Sequence, residues 1–408
     1  MNSDATTDDR VLTLPGLNSK NNQVSGVQFA GYASVGVGDE GLFYWFVGDD
    51  DYASRPTVIW TNGGPGSSSF WGFFLENGPY EVESALEPTV VPRSYGWNEF
   101  ANYMIFEHPL SVTLSFAEND ADVPKSVEEG IAQYYRALQS FLAKHPEIAK
   151  NPVVLAGESY AGTYLPLLAQ AIFEGNNHQG NIPIDLRTMV LLDAWVSPKV
   201  QMEQDTAYAY GRGLISAAQK KMLDKTYRGL DPKTGLPVID GKIQEICGCY
   251  MANLAEVGDP PFDPVLLYLN RDDVRDAIHA KKGTPLTQTY SQLVSDNYAA
   301  KVNDSYAPLV EKLLKKTDLQ VLVISGLNDA KDCNFLGTGA WLAKLKGKAA
   351  SRFQAADTTP WLDPQNRTIG FEQSGGQLRW LKVLNAGHLA VRDQPLIIDY
   401  ILETAGLD

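Results

Sequence analysis

The run Val154-Leu155-Ala156-Gly157-Glu158-Ser159-Tyr160-Ala161-Gly162 ends an apolar stretch in a serine set among small residues. A serine hydroxyl becomes a nucleophile when a base takes its proton and an acid orients that base. A sharp turn between a strand and a helix presents such a serine to a substrate. The turn is tight, so the second residue on either side must be small. Gly157 and Ala161 occupy those positions, the alanine standing where the general pattern has glycine. Alone, a serine of this kind is as readily a cap or a packing residue, so its partners decide.

Where a serine on such a turn acts in an α/β-hydrolase sheet, the acid and then the histidine follow it along the chain. Of the five histidines, only His388 follows the last strand-like run, in Asn385-Ala386-Gly387-His388. His108 precedes the serine. His145 lies in a Lys/Glu-rich stretch expected to be solvated, His178 in a polar loop, and His279 on a helical pattern. The acid belongs after the preceding strand, where Gly326-Leu327-Asn328-Asp329 stands. Acyl transfer also needs two backbone N–H groups aimed at the developing oxyanion. The loop Asn62-Gly63-Gly64-Pro65-Gly66 follows an apolar run and offers backbone that a substrate can approach closely.

These groups need elements to hold them. The β-branched and aromatic runs at 42–47, 56–60, 103–106, 152–156, 189–192, 319–324 and 378–383 predict strands. Val127, Ile131, Tyr134, Tyr135, Leu138, Phe141 and Leu142 recur at spacings of three and four, which predicts an amphipathic helix over 127–142. Leu165, Leu168 and Ile172 repeat the pattern after the serine. Strands that are almost continuously apolar and alternate with helices imply a mostly parallel sheet covered on both faces. Residues 198–300 depart from this. They hold helical segments at 216–223 and 272–280 and breaks at 229–235 and 259–261, but few strand-like runs. The predicted architecture is an α/β-hydrolase fold, a mostly parallel central sheet with helices on both faces and an inserted, mainly helical cap. Residues 1–197 form the first part of the core, 198–300 the cap, and 301–408 the second part of the core.

A chain of 408 residues with 44% hydrophobic and 20% charged residues is a folded globular protein. No apolar run reaches the length of a membrane span, so no membrane partner is expected. A net charge of −15 argues against a nucleic-acid surface, which needs clustered Lys and Arg. The three cysteines are Cys247, Cys249 and Cys333. Cys247-Gly248-Cys249 reads as too tight for an ordinary structural disulfide, and no Cys/His spacing suits zinc. The expectation is three thiols in a reducing compartment. With a polar, acidic start this predicts a cytoplasmic protein, secreted or vacuolar if a leader has been removed. No metal or organic cofactor is expected, and the oligomeric state stays open.

Three stretches taken together resemble the serine carboxypeptidases: Trp60-Thr61-Asn62-Gly63-Gly64-Pro65-Gly66-Ser67-Ser68, Gly157-Glu158-Ser159-Tyr160-Ala161-Gly162, and Ala386-Gly387-His388. Leu14-Pro15-Gly16, Phe29-Ala30-Gly31-Tyr32, Trp97-Asn98 and Tyr268-Leu269-Asn270-Arg271-Asp272-Asp273-Val274 extend the resemblance over nearly the whole chain. It implies removal of C-terminal residues from peptides through an acyl-enzyme, with Ser159, Asp329 and His388 as the triad. It implies an oxyanion hole at the Gly64 and Tyr160 amides. It also implies that Asn62, the Gly63 backbone, Glu76 and Glu158 receive the substrate's terminal carboxylate. Two buried glutamates beside a carboxylate cannot all ionise, so they share protons.

The chain departs from that family in places. Ser67 stands where relatives often carry cysteine. Glu107-His108-Pro109-Leu110-Ser111-Val112-Thr113-Leu114-Ser115-Phe116 replaces a loop that borders the family's site. Asp329-Ala330-Lys331-Asp332-Cys333-Asn334 is one residue longer than in some relatives, which leaves Asp332 as a lesser candidate for the acid. The expected partner is a peptide or small molecule with a free carboxylate. A carboxypeptidase-like acyltransferase or esterase would use the same acyl-enzyme. A non-catalytic binding protein on the same scaffold is the reading from outside enzymology.

Overall fold

A computed structural model describes residues 9–36, 38, 40–83, 87–226, 238–283, 285–331 and 333–407. Its strands are β1 (Val27–Ser34), β2 (Gly41–Gly48), β3 (Thr57–Thr61), β4 (Tyr80–Glu83), β5 (Thr89–Pro92), β6 (Asn102–Phe106), β7 (Pro152–Glu158), β8 (Asp185–Leu192), β9 (Gln320–Gly326), β10 (Thr358–Leu362), β11 (Thr368–Gly375) and β12 (Leu378–Val383). Ten of them form one sheet in the order β1-β2-β6-β3-β7-β8-β9-β12-β11-β10, while β4 and β5 pair apart. The run from β6 to β12 is parallel, and the outer strands on both sides pair antiparallel.

The central strands are apolar throughout because both of their faces are covered. Along β3, Ile59 packs on one side with Val127, Ile131 and Tyr134, while Val58 and Trp60 pack on the other with Phe73 and Trp97. The first side is covered by α1 (Val127–Lys144) and α2 (Ala161–Gly175). Helix α1 starts where Ser126 Oγ accepts from the Glu129 N–H, with Glu128 and Glu129 in its positive first turn.

Between β8 and β9 the described residues carry helices and no strand. The predicted segments appear as Ala217–Thr226 and Asp272–Ala277, while the predicted break at 229–235 lies outside the described residues. This region has its own small core of Tyr208, Ile215, Leu223, Ile239, Ile243 and Met251. Its later part does otherwise: Val265, Tyr268 and Val274 join the main core with Trp60 and Phe74.

Two expectations need correction, and several strands were not expected. Cys247 and Cys249 are joined in a disulfide, so they are not two thiols. Gly248, at φ +64°, turns the chain back and brings the two Cα atoms to 5.3 Å, within disulfide reach. His145 is buried, not solvated: its Nε2 lies 2.8 Å from Asp9 Oδ2, and Lys144 Nζ reaches the same oxygen at 3.0 Å. Strands β1, β10 and β11 lack the apolar run of a central strand, and pairing to a neighbour makes them strands.

Candidate active site

Strands β3 and β7 are parallel neighbours with Thr61 opposite Gly157, so the Asn62 loop and the serine turn emerge side by side. Ser159 has φ +59°, a left-handed conformation that a serine holds only when its surroundings enforce it. Here they do. Its N–H donates to Leu192 O at 3.0 Å, and its carbonyl accepts from the Trp195 N–H at 2.7 Å, both at the end of β8. A Cβ added to Gly157 would lie 2.3 Å from Thr61 O and 2.8 Å from the Ala161 methyl. Glycine is therefore required before the serine, whereas alanine fits after it. A Cβ on Gly63 would lie 2.3 Å from the Tyr160 nitrogen, so the Asn62 loop presses directly on the turn.

Strands β9 and β12 are also parallel neighbours, with Gly326 opposite Val383. Asp329 and His388 stand on the loops just beyond. His388 Nδ1 lies 2.8 Å from Asp329 Oδ2, and Asp329 Oδ1 accepts from the Lys331 N–H at 2.9 Å. Asp329 is fully buried. A carboxylate at Nδ1 keeps the proton there and leaves the Nε2 lone pair for general-base work. Asp332, the lesser candidate, lies outside the described residues. Ser159, His388, Gly64 and Tyr160 line one cleft of about 440 Å³, with Trp195, Tyr250 and Met251 in its walls.

Beneath the serine turn, Asn62 is held in one orientation. Its Oδ1 accepts from Trp60 Nε1 at 2.7 Å and from the Gly72 N–H at 3.0 Å. Its NH2 must then face the other way, where it donates to Glu76 Oε1 at 3.0 Å and Glu158 Oε1 at 2.8 Å. Glu76 ends the π-helical turn Gly72–Glu76. Both glutamates are buried, and burial pushes both carboxyls above the ordinary range. Glu158 is pushed furthest, because the neighbouring Glu76 charge adds to its burial. The two carboxyls are neighbours on the same amide, and the second oxygen of each, Oε2, is buried with no hydrogen-bond donor among the described residues. The pair thus retains a proton where isolated carboxylates would have lost theirs.

Asp193 is a site residue that the sequence reading missed. It follows β8 with φ +36° and takes the Gly326 N–H with both oxygens, at 2.9 and 3.2 Å. Burial first, then the Asp329 charge, raise its carboxyl well above the usual range. It braces the start of the Asp329 loop through the Gly326 N–H. The signal for it was an acid directly after the strand-like run 189–192. The 107–116 loop buries its first residues against the 62–68 stretch. Glu107 accepts from Ser68 Oγ at 2.6 Å and from Thr113 Oγ1, and burial pushes it up to about 7. His108 packs against the Tyr134 and Tyr164 rings, and burial lowers it to about 3.

The profile of the family described as serine carboxypeptidase matches residues 15–253 and 249–403. Pheromone-processing carboxypeptidase KEX1 of Phytophthora infestans is 30% identical over 440 aligned positions, covering 98% of this chain and 71% of that protein. Serine carboxypeptidase-like 47 of Arabidopsis thaliana is 28% identical, covering 90% of this chain and 76% of that protein. Among solved structures, a prohormone-processing carboxypeptidase from Saccharomyces cerevisiae, Kex1(Δ)p, superposes with a TM-score of 0.79. The superposition covers 97% of this chain and 94% of that one at 19% identity, a likeness of fold.

Proposed function

This chain belongs to the serine carboxypeptidase family and is a serine-type hydrolase on an α/β-hydrolase scaffold; from that premise we propose that it removes C-terminal residues from peptides, with Ser159, Asp329 and His388 as its triad. The observation that carries the reading is the Asn62 amide, held between two buried glutamates directly beside the serine turn. A retained proton lets a carboxyl donate to an incoming carboxylate rather than repel it. The substrate's terminal carboxylate docks against Asn62, the Gly63 backbone, Glu76 and Glu158, which brings the last peptide carbonyl over Ser159.

His388 Nε2 then takes the Ser159 proton as Oγ bonds to the carbonyl carbon. The Gly64 and Tyr160 amides receive the oxyanion. His388 passes the proton to the leaving amine, the last residue departs, and an acyl-enzyme remains. Water attacks the acyl-enzyme by the same route and releases the shortened peptide. Asp329 holds His388 in the useful tautomer and stabilises the imidazolium.

Residues 198–300 act as a cap whose segment 250–252 walls the cleft. The cytoplasmic expectation rested on three free thiols. The Cys247–Cys249 bridge supports an oxidising compartment, so secreted or vacuolar residence is the better reading.

The test is mass spectrometry of matched free-acid and C-terminally amidated peptides. Stepwise loss of residues is expected from the free acid, with the amide cleaved far more slowly. Equal cleavage of the two would remove the carboxylate reading.

A further inference from the structure

The loops carrying Asp329 and His388 are tied to one short segment of the inserted region. The Ala330 N–H donates to Met251 O at 2.8 Å, and the Leu254 N–H donates to Asn328 O at 3.1 Å. These bonds flank Asp329 on both sides. The His388 N–H donates to Ala252 O at 2.7 Å. The preceding amide, Gly387 N–H, donates to Asp393 Oδ2 at 2.8 Å, and that same oxygen accepts from Asn253 Nδ2 at 2.9 Å. Asn253 cannot turn its amide over, because its Oδ1 accepts from the Ala255 N–H at 3.0 Å. A Cβ on Gly387 would lie 2.4 Å from Asn253 Cβ, so the loop sits directly on that side chain. An outer tie spans the same seam, with Arg392 Nη1 3.1 Å from both Glu256 oxygens.

We propose that Asn253 and Asp393 are positioning residues that hold His388 in register with Asp329 and the nucleophile. This rests on the triad reading above. Neither residue lines the cleft. Their effect passes through the Gly387-His388 backbone, which sets the angle at which the imidazole leaves the loop. Asp329 and His388 are anchored to the same four residues, so a shift of that segment alters their mutual alignment. Proton transfer depends on that alignment, and a misplacement of about 1 Å costs on the order of 10²-fold in rate. The carboxylate floor makes none of these bonds, so recognition of the terminal carboxylate does not run through the tie.

The test compares Asn253→Ala, Asp393→Ala and Asp393→Asn in the full chain, with melting temperatures to check folding. Asn253→Ala and Asp393→Ala should lower kcat for a free-acid peptide on the order of 10-fold or more, with KM little changed. Asp393→Asn keeps an oxygen for the Gly387 N–H and should lose less. Labelling of Ser159 by a fluorophosphonate, which needs no carboxylate site, should slow in parallel. The downfield proton resonance of the His388–Asp329 bond should shift or broaden.

A folded Asn253→Ala with wild-type kcat, labelling rate and resonance overturns the proposal, as does a change confined to KM. Should the alanine variants not fold, Asp393→Asn decides by the same split between kcat and KM. His388→Ala run alongside separates the two ideas, because full activity in that variant would sink the triad reading itself.

Discussion

The proposed carboxylate floor, beside the serine turn, and the proposed catalytic rim of the cleft are held in different ways. Asn62, Glu76 and Glu158 are joined by side-chain bonds among strand ends and one turn, all buried in the main core. Asp329 and His388 meet at 2.8 Å on loops whose backbone is held by residues 251–254 of the inserted region. The first arrangement cannot loosen without opening the core. The second depends on a peripheral segment next to a small core of its own, and such units open at lower free energy than the main core. On the readings proposed above, recognition rests in the core, while the proton-transfer step is coupled to the insertion.

The comparison can be broken most directly at its reacting ends. Ser159→Ala should abolish turnover, a loss on the order of 10⁶ in kcat. Asp329→Asn should cost on the order of 10⁴ in kcat by favouring the wrong imidazole tautomer. Both should leave peptide binding intact, and a purified Ser159→Ala retaining a few per cent of activity would end the assignment.

The floor should respond in KM instead. Glu76→Gln with Glu158→Gln should change KM for a free-acid peptide about 10- to 100-fold, the worth of hydrogen bonds to a charged group. In the unchanged protein the pair holds its proton above the ordinary carboxyl range. As pH rises past the raised value the proton leaves, the floor gains negative charge, and KM for free acids should rise. Amidated peptides should show little of this rise, and the double glutamine variant should flatten it. The same sign applies to folding: the native state binds more protons than the unfolded one, so this pair's contribution to stability falls as pH rises. Equal pH dependence of KM for acid and amide would break the division between floor and rim.

The smallest effect is expected at the bridge. Replacing Cys247 and Cys249 by serine should cost about 1–2 kcal/mol, since a bridge this short constrains little of the unfolded chain. Because the segment it borders holds the rim, kcat should fall more than KM rises. A change confined to KM would contradict the comparison.

Much of the fold was legible. The strands from β2 to β12 that flank the site announce themselves as apolar runs because both of their faces are buried. Strands β1, β10 and β11 did not, being mixed in composition and defined by pairing. The meeting of Asp329 and His388 was legible from their places just past the ends of neighbouring strands, since a parallel sheet sets neighbouring strand ends side by side. Asp193 stood in the same kind of position and was passed over, because its burial depends on β9 and Gly326 closing over it. His145 looked like surface from its charged neighbours, yet Asp9 and the end of α1 bury it.

The amino-acid sequence by itself determined the local constraints. It set the small residues Gly157 and Ala161 around the serine, the adjacent glycines at 63 and 64, and the order of serine, acid and histidine. These follow from sterics within a few residues and from the alternation of strand and helix. Only the tertiary structure decided which distant groups meet. It aims the Asn62 amide at Glu76 and Glu158 because Trp60 and Gly72 occupy its oxygen. It favours a retained proton on those glutamates because burial strips away the solvation that two charges would need. It ties Gly387 and Asp393, six residues apart beside His388, to Asn253 of the inserted region. A bond between groups so far apart in the chain has no local signature, because packing alone brings them within reach.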